Sequence, residues 1–178
     1  MKSIKSILSI CIVALLLFSC NNKPSLQKYY VENQENQNFM VVDIPTSILN
    51  IKVDSLSEKQ QKAYKSIEKL NFLGFKKTED NVTIYQTEKE KVAQILNNDT
   101  YKTLIKYGGK NQGAVVKYLG NDDAIDEVII FGADNTQGFG IVRVIGNDMN
   151  PSQVLDLIDV VKKSKPNKDT FKEIANFF

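Results

Sequence analysis

Four acidic residues fall within six positions of the stretch GNDDAIDEV: Asp122, Asp123, Asp126 and Glu127. Clustered carboxylates suit Ca²⁺, which prefers oxygen ligands, and two carboxyl groups with different pKa values can act as acid and base in a hydrolase. The D-x-[DN]-x-[DN]-G spacing of an EF-hand loop is absent from this stretch. We therefore interpret it as an acidic β-turn, in which Asp122 or Asp123 supplies the turn chemistry.

A single arginine, Arg143, lies in the apolar stretch FGIVRVIG. A guanidinium group on a sheet can bind the carboxylate or phosphate of a ligand. The alternative, which we favour, is that Arg143 reaches a sheet edge and pairs with a carboxylate of its own chain. Together with the four acidic residues, Arg143 completes the set of candidate ligand or partner contacts.

The sequence lacks the side chains that many enzymes require. It contains no histidine, and its two cysteines, Cys11 and Cys20, both lie near the N-terminus. A domain without either residue type has no Ser-His-Asp triad, no cysteine nucleophile, no structural disulfide, and no zinc or copper site built from imidazole or thiolate. We therefore expect a protein that is not an enzyme and that holds neither a metal nor another cofactor.

The N-terminus has the layout of an export signal. Lys2 and Lys5 precede an apolar run at 7–18, which is too short to cross a bilayer. The run ends in LFSC, and this sequence resembles the lipobox of bacterial lipoproteins, in which the cysteine, here Cys20, receives a diacylglycerol and becomes the first residue after cleavage. The alternative is a buried helix with an incidental cysteine. We predict a signal peptide at 1–19 and lipidation of Cys20.

Cleavage would change the charge of the chain. The 23 basic and 21 acidic residues give a formal charge of +2, and loss of Lys2 and Lys5 with the signal brings that charge to zero. A balanced chain without basic clusters argues against nucleic acid as a partner.

The residues after Cys20 indicate the side of the membrane. In the surface-exported lipoproteins among those that this lipobox resembles, an acidic run follows the cysteine, whereas residues 21–23 here are Asn-Asn-Lys. We therefore expect an anchor in the outer membrane, on its periplasmic side.

Residues 20–38 are predicted to be the lipidated cysteine and a polar tether, whose Asn21-to-Asn38 portion could reach roughly 60 Å when extended. Leu26, Tyr29 and Tyr30 suggest a short helical or loosely docked segment within this tether. Tyr29 and Tyr30 within it, and the Phe177-Phe178 pair at the C-terminus, could form a docking surface or pack into the core. The remaining residues, 39–178, are long enough for a single domain.

The spacing of apolar residues predicts the helices and strands of this domain. Strands are predicted at 39–44 and 71–77, and helices at 57–69 and 83–98; the first helix begins with an S-x-x-Q capping box at Ser57. Four strands joined by Gly/Asn/Asp turns follow, at 101–108, 114–120, 126–132 and 139–146. Two more helices are expected to begin at Asn150 and at Thr170.

These elements predict an α+β fold: strand-helix-strand-helix, then a four-strand antiparallel meander, then C-terminal helices. The last two strands carry apolar residues on both parities, so both sheet faces should be covered, by helices or by a partner.

The segments FMVVDIPTSILNI, GAVVKYLGNDDAIDEVIIFG and GFGIVRVIGNDMNPSQVLDLI, behind a lipobox, resemble a family of Bacteroidota envelope lipoproteins, the domain-of-unknown-function family DUF4252. The resemblance covers essentially the whole chain after the signal. It implies an exported α+β lipoprotein with no established activity and no functional residues to transfer. Its members often occur beside envelope-stress sigma-factor systems, which implies a regulatory setting.

Three functional hypotheses follow. The first, which we favour, is a lipid-anchored, periplasm-facing module that binds an envelope protein or a small ligand without enzymatic activity. The second is a hydrolase that uses two of the four clustered carboxylates, which would have to share one cleft about 5 to 10 Å apart. The third is a structural envelope component that self-associates through an apolar sheet face.

Overall fold

A computed structural model describes residues 24–109 and 112–150, together with Ser152, Asp156, Lys172, Asn176 and Phe177. In this part of the chain the elements are, in order, α1 (Leu26–Glu32), β1 (Phe39–Ile44), α2 (Glu58–Ser66), β2 (Ile67–Lys76), α3 (Val82–Leu96), β3 (Lys102–Gly108), β4 (Gln112–Gly120), β5 (Ile125–Asp134) and β6 (Gly138–Met149). Two short 3-10 helices, Thr46–Leu49 and Val53–Ser55, lie between β1 and α2.

The six strands form one antiparallel sheet in the order β1-β2-β6-β5-β4-β3. The predicted fold, a strand-helix-strand-helix unit followed by a four-strand meander and C-terminal helices, is therefore wrong. Strands β3 to β6 do pair with their neighbours in sequence, but β2 adds to the free edge of β6, and β1 adds to β2. A strand that is apolar on both faces is stable in the interior of a sheet rather than at its edge, which explains why β6 acquires a second partner.

Local signals and tertiary pairing compete at the start of β2. The predicted capping box is confirmed: Gln60 donates its amide to the Ser57 hydroxyl, and its side chain accepts from the Ser57 amide. The helix nevertheless ends at Ser66, and residues 67–69, predicted as helix, begin β2. Ile67 lies opposite Gly146 in this ladder, so strand pairing has overridden helix propensity there.

Residues 26–32, predicted as part of a tether, form helix α1. Ser25 caps it by accepting a hydrogen bond from the Lys28 amide. Leu26, Tyr29 and Tyr30 are all buried, with relative exposures of 0–4%. This segment is therefore part of the packed body of the protein.

The predicted signal peptide, Cys20, residues 21–23 and most of the two predicted C-terminal helices lie outside the described residues. Within the described part, the helices are too short or too polar to cross a membrane.

The face of the sheet that packs against α1 and α3 is filled by aromatic rings, and we call it the aromatic face. The ring of Phe75 lies 5.0 Å from that of Phe39 and 5.4 Å from that of Phe139, measured between centroids. Tyr85 of α3 packs against Phe75 at 6.0 Å. Aromatic residues make up half of the fourteen buried residues in the core cluster on this side.

The opposite face is covered only in part by the described elements. At one end, the 3-10 helices and α2 pack on a second apolar cluster that includes Ile44, Leu70, Val128 and Val144. At the other end of the same strands, three glycines lie side by side. We call this side the glycine face, because these glycines determine its shape.

Candidate functional site

Arg143 and Glu127 form an internal ion pair on the aromatic face. The guanidinium donates from Nε to Glu127 Oε1 at 2.6 Å and from Nη2 to Oε2 at 2.9 Å, and both residues are 5% exposed. Nη1 donates to Gln27 of α1 at 2.8 Å, and the guanidinium carbon lies 5.0 Å from the ring centroid of Tyr30. Burial lowers the pKa of Arg143, but hydrogen bonding and charge attraction from Glu127 outweigh burial and raise it overall.

The second interpretation of Arg143 is confirmed in its pairing with a carboxylate of its own chain. Its predicted position at a sheet edge is wrong, because β6 lies between β2 and β5. All three guanidinium nitrogens have partners within the protein. The pair and Gln27 hold α1 against the sheet, so its position suits a structural contact better than recognition of a ligand.

Asp122 lies on the turn between β4 and β5, with different partners. It accepts hydrogen bonds from Lys102 and from the Tyr118 hydroxyl, the latter at 2.8 Å. The hydrogen bonds from Lys102 and then Tyr118 lower the pKa of Asp122, and the same contacts raise the pKa of Lys102 and of Tyr118. The carboxylate is therefore held in its charged form.

The four clustered carboxylates do not share one cleft. Glu127 is buried beside Arg143, Asp122 pairs with Lys102, and Asp123 and Asp126 are exposed. Among the described residues, no group of three or more acidic, cysteine or histidine side chains could hold a metal ion. Glu127 is therefore engaged inside the protein, whereas the other three carboxylates lie at the surface around the turn.

The described surface does contain an open groove, on the glycine face. Its floor includes Gly140, Gly132 and Ala114, which lie opposite one another in β6, β5 and β4. Gly74 of β2 pairs with Gly140 and continues this row beyond the residues that line the groove. Tyr107 lies opposite Ala114 at the end of the row. We call the three glycines the glycine row. Because Gly140 and Gly132 have no side chains, the backbone of β6 and β5 is accessible from the groove.

The groove has a volume of about 770 Å³, and its two sides differ in chemistry. One side is apolar and consists of Phe72, Val142 and Ile130, which lie opposite one another in neighbouring strands. The other is polar and includes Asp134 and Gln137. A pocket with an apolar body and a few polar groups is the usual form of a binding site.

The Asp134 carboxylate is held in place by hydrogen bonds within the turn between β5 and β6. Its carboxylate accepts hydrogen bonds from the Thr136 hydroxyl, from the Thr136 amide at 2.7 Å and from the Gln137 amide at 3.0 Å. These bonds lower the pKa of Asp134. The polar side of the groove therefore carries a negative charge at neutral pH.

The groove opens towards the edge strand β3. Tyr107 is 81% exposed and Ile105 is 45% exposed, and both lie opposite residues of the glycine face in β4. Exposed large apolar side chains beside a groove are typical of an interaction surface.

The two ends of the glycine row have different surroundings. A Cβ atom added to Gly132 would meet nothing within 4 Å. A Cβ atom added to Gly74 would lie 2.9 Å from the Phe72 ring and 3.1 Å from Cε1 of Phe177. The row is therefore open at Gly132 and covered at Gly74.

Sequence reasoning did not identify this groove. The available signal was the placement of glycine inside predicted strands, in NFLGF, IIFGA and GFGIV, because glycine weakens a strand unless another group must approach the backbone closely. Recognising the groove also required the register, which sets residues 74, 140 and 132 side by side.

Comparison with known proteins gives one match. The family model described as Domain of unknown function (DUF4252) matches residues 29–157. No curated protein and no solved structure matches the chain.

Proposed function

Because the chain belongs to the DUF4252 family, a domain of unknown function, we propose a function from its geometry. The protein is a lipid-anchored, periplasm-facing envelope lipoprotein that binds an apolar segment of an envelope protein, or a small apolar ligand, without catalysing a reaction. The binding surface is the groove on the glycine face.

The observation that carries this proposal is the exposed floor of the groove. Gly140 and Gly132 leave the strand backbone accessible beside an apolar side formed by Phe72, Val142 and Ile130. An apolar ligand lying there would bury these side chains, and each Å² of apolar surface removed from water contributes about 25 cal/mol. Polar atoms of the ligand would face Asp134 and Gln137, which would orient it.

The docking of α1 supports a short attachment to the membrane. Leu26 donates its amide to the Tyr101 hydroxyl at 3.4 Å, and Tyr29 donates its hydroxyl to Glu88 of α3 at 2.9 Å. Leu26 is the sixth residue after Cys20, and six residues span at most about 20 Å. The free tether would therefore reach about 20 Å, a third of the roughly 60 Å expected if residues 21–38 were all extended.

This attachment would orient the groove away from the lipid. Helix α1 begins on the aromatic face beside Tyr101, which immediately precedes β3. The groove lies on the opposite face, near Tyr107 at the other end of β3. Six residues of strand correspond to about 20 Å, so the anchor and the groove are separated both along the strands and across the sheet.

Replacement of Cys20 tests the anchor. We expect the Cys20→Ser variant to move from the membrane fraction to the soluble periplasmic fraction, and mass spectrometry of the native protein to find acyl chains on Cys20. A native protein that keeps its leader, or whose Cys20 thiol is unmodified, would contradict the anchor.

Photo-crosslinking in intact cells tests the groove. A photoreactive phenylalanine derivative in place of Gly132 or Tyr107 should give discrete adducts. The matched control position is Val31, which is also apolar and 55% exposed but belongs to α1 on the other side of the sheet. Equal adducts at positions 132 and 31, or none at 132 and 107, would exclude the groove as the binding surface.

A further inference from the structure

We propose that the chain's own C-terminal segment, residues 158–178, docks on the glycine face at Gly74, beside the groove, and leaves the groove at Gly132 to the external ligand. This inference rests on the proposed function in one respect, that the groove is the binding surface. It adds a segment of the chain itself as the neighbour of the groove on the side of β2.

The contact between Phe177 and Gly74 carries the inference. Phe177 Cε1 lies 3.1 Å from the position that a Cβ atom on Gly74 would take, next to the Phe72 ring on the same side. Real Cβ atoms seldom have neighbours this close, so only glycine leaves full room for the Phe177 ring. Phe177 is half-buried, whereas its neighbour Asn176 is exposed, as expected when one side of the segment faces the sheet.

The chain is long enough to make this contact. Strand β6 ends at Met149, nine residues beyond Gly140, and nine strand residues extend about 30 Å. The chain must therefore return about this distance along β6 to bring Phe177 over Gly74. The 28 residues from Met149 to Phe177 cover about 42 Å even at the 1.5 Å rise of a helix.

The sequence of the segment suits docking on the apolar surface around Gly74. Phe171, Ile174 and Phe178 recur at helical spacing, so a helix formed there would have one apolar side. The segment lies after residue 157, where the family match ends.

The two ends of the glycine row have different neighbours. Phe177 and Phe72 lie against the Gly74 end, whereas nothing lies within 4 Å of the Cβ position at Gly132. Docking of the segment at Gly74 would therefore leave accessible the groove over β5 and β4, which extends to Tyr107.

A tryptophan reporter tests the docking, because the chain contains no tryptophan of its own. In the full-length Phe177→Trp protein, emission should be blue-shifted relative to the unfolded protein in urea. Adding Gly74→Val should shift the emission towards that of the unfolded protein. Adding Gly132→Val, the matched control, should leave it unchanged. Reporter emission that already resembles the unfolded protein, or that responds equally to both valine substitutions, would overturn the inference.

Hydrogen exchange gives a second readout without the tryptophan. In the full-length protein with native Phe177, Gly74→Val should speed amide exchange across residues 158–178 by on the order of tenfold, and Gly132→Val should not. The milder Gly74→Ala substitution serves if the valine variant fails to fold. If amide exchange across residues 158–178 stays slow in a folded Gly74 variant, the segment does not dock at Gly74.

These results are separable from the proposed function. If the tryptophan reporter responds to Gly74→Val but crosslinking at position 132 yields nothing, the segment docks on a surface that binds no external ligand. If crosslinking succeeds and the reporter is solvent-exposed, the groove binds a ligand without its own C-terminal segment.

Discussion

The two faces of the sheet come from the same strands and even from the same dipeptides. Gly74 precedes Phe75, Phe139 precedes Gly140, and Phe131 precedes Gly132. Because successive side chains in a strand point to opposite faces, each of these pairs directs a ring to the aromatic face and no side chain to the glycine face. The strands thus build a dense core on one side and a groove directly behind it on the other.

The polar groups of the two faces differ in the same way. On the aromatic face, Arg143, Glu127 and Glu88 are buried and hydrogen-bonded within the protein. On the glycine face, Asp134 and Gln137 line an open cavity. Side chains on the aromatic face should therefore matter mainly for stability, and those on the glycine face mainly for binding.

Removing a ring from the aromatic face should have the largest effect. We expect Phe139→Ala, at a residue that is 1% exposed, to lower the free energy of unfolding by about 4 kcal/mol, since it creates a cavity among the surrounding rings. Val142→Ala, at a half-buried position in the groove, should lower it much less. Urea denaturation measures both values. Equal losses would mean that the groove is packed as densely as the core.

Breaking the buried ion pair between Arg143 and Glu127 should cause the second largest loss of stability. Glu127→Gln keeps the shape of the side chain but leaves the Arg143 charge uncompensated, which should cost about 3 kcal/mol. The double replacement Glu127→Leu with Arg143→Met should recover much of this loss, because it removes both buried charges. Thermal unfolding of the three proteins tests the comparison; a double variant less stable than Glu127→Gln would contradict it.

Loss of one hydroxyl should have a smaller effect. Tyr29→Phe removes the hydrogen bond from α1 to Glu88 and should cost about 1.5 kcal/mol, as is typical of a bond to a charged group. Limited proteolysis should then cut near residues 33–38 more readily. Tyr107→Phe is the control, since this ring is 81% exposed on the glycine face, and it should leave stability unchanged.

Acid should produce the smallest effect of the four. The pKa of Asp122 lies below its ordinary value of 3.8, mainly because of the hydrogen bond from Lys102. A depressed pKa in the folded state stabilises the protein above the unfolded pKa, and this contribution disappears as the pH falls through the folded value. Between pH 5 and pH 2, the stability of Asp122→Asn should therefore decline less than that of the parent protein. Urea denaturation at each pH measures both stabilities. If the two proteins lose stability equally as the pH falls, the ionised Asp122 carboxylate contributes nothing to stability.

Much of the element content could be predicted because its signals are local. The strand at residues 39–44 is confirmed, as is the capping box at Ser57, and family membership is confirmed over residues 29–157. Prediction failed where distant residues decide the outcome. Residues 67–69 are strand rather than helix because they pair with β6, and residues 26–32 pack as α1 because they find apolar partners on a sheet formed later in the chain.

The candidate site depended on distant residues even more strongly. Arg143 was a candidate ligand contact, but Glu127, 16 positions away, and Gln27, 116 positions away, engage its donors. The glycine row needs residues 74, 132 and 140, and neither strand order nor register can be read from any one segment.

By itself, then, the sequence determined that histidine is absent, where the strong strand and cap signals lie, and that glycine interrupts three apolar strands next to phenylalanine. Those properties belong to single residues or to neighbours along the chain. Only the tertiary structure decided that β2 joins β6, that the three glycines form one row, and that Arg143 meets Glu127. The physical reason is that sheet register and buried pairing are chosen by the packing of the whole molecule, because each strand must satisfy its hydrogen bonds and bury its apolar side at the same time.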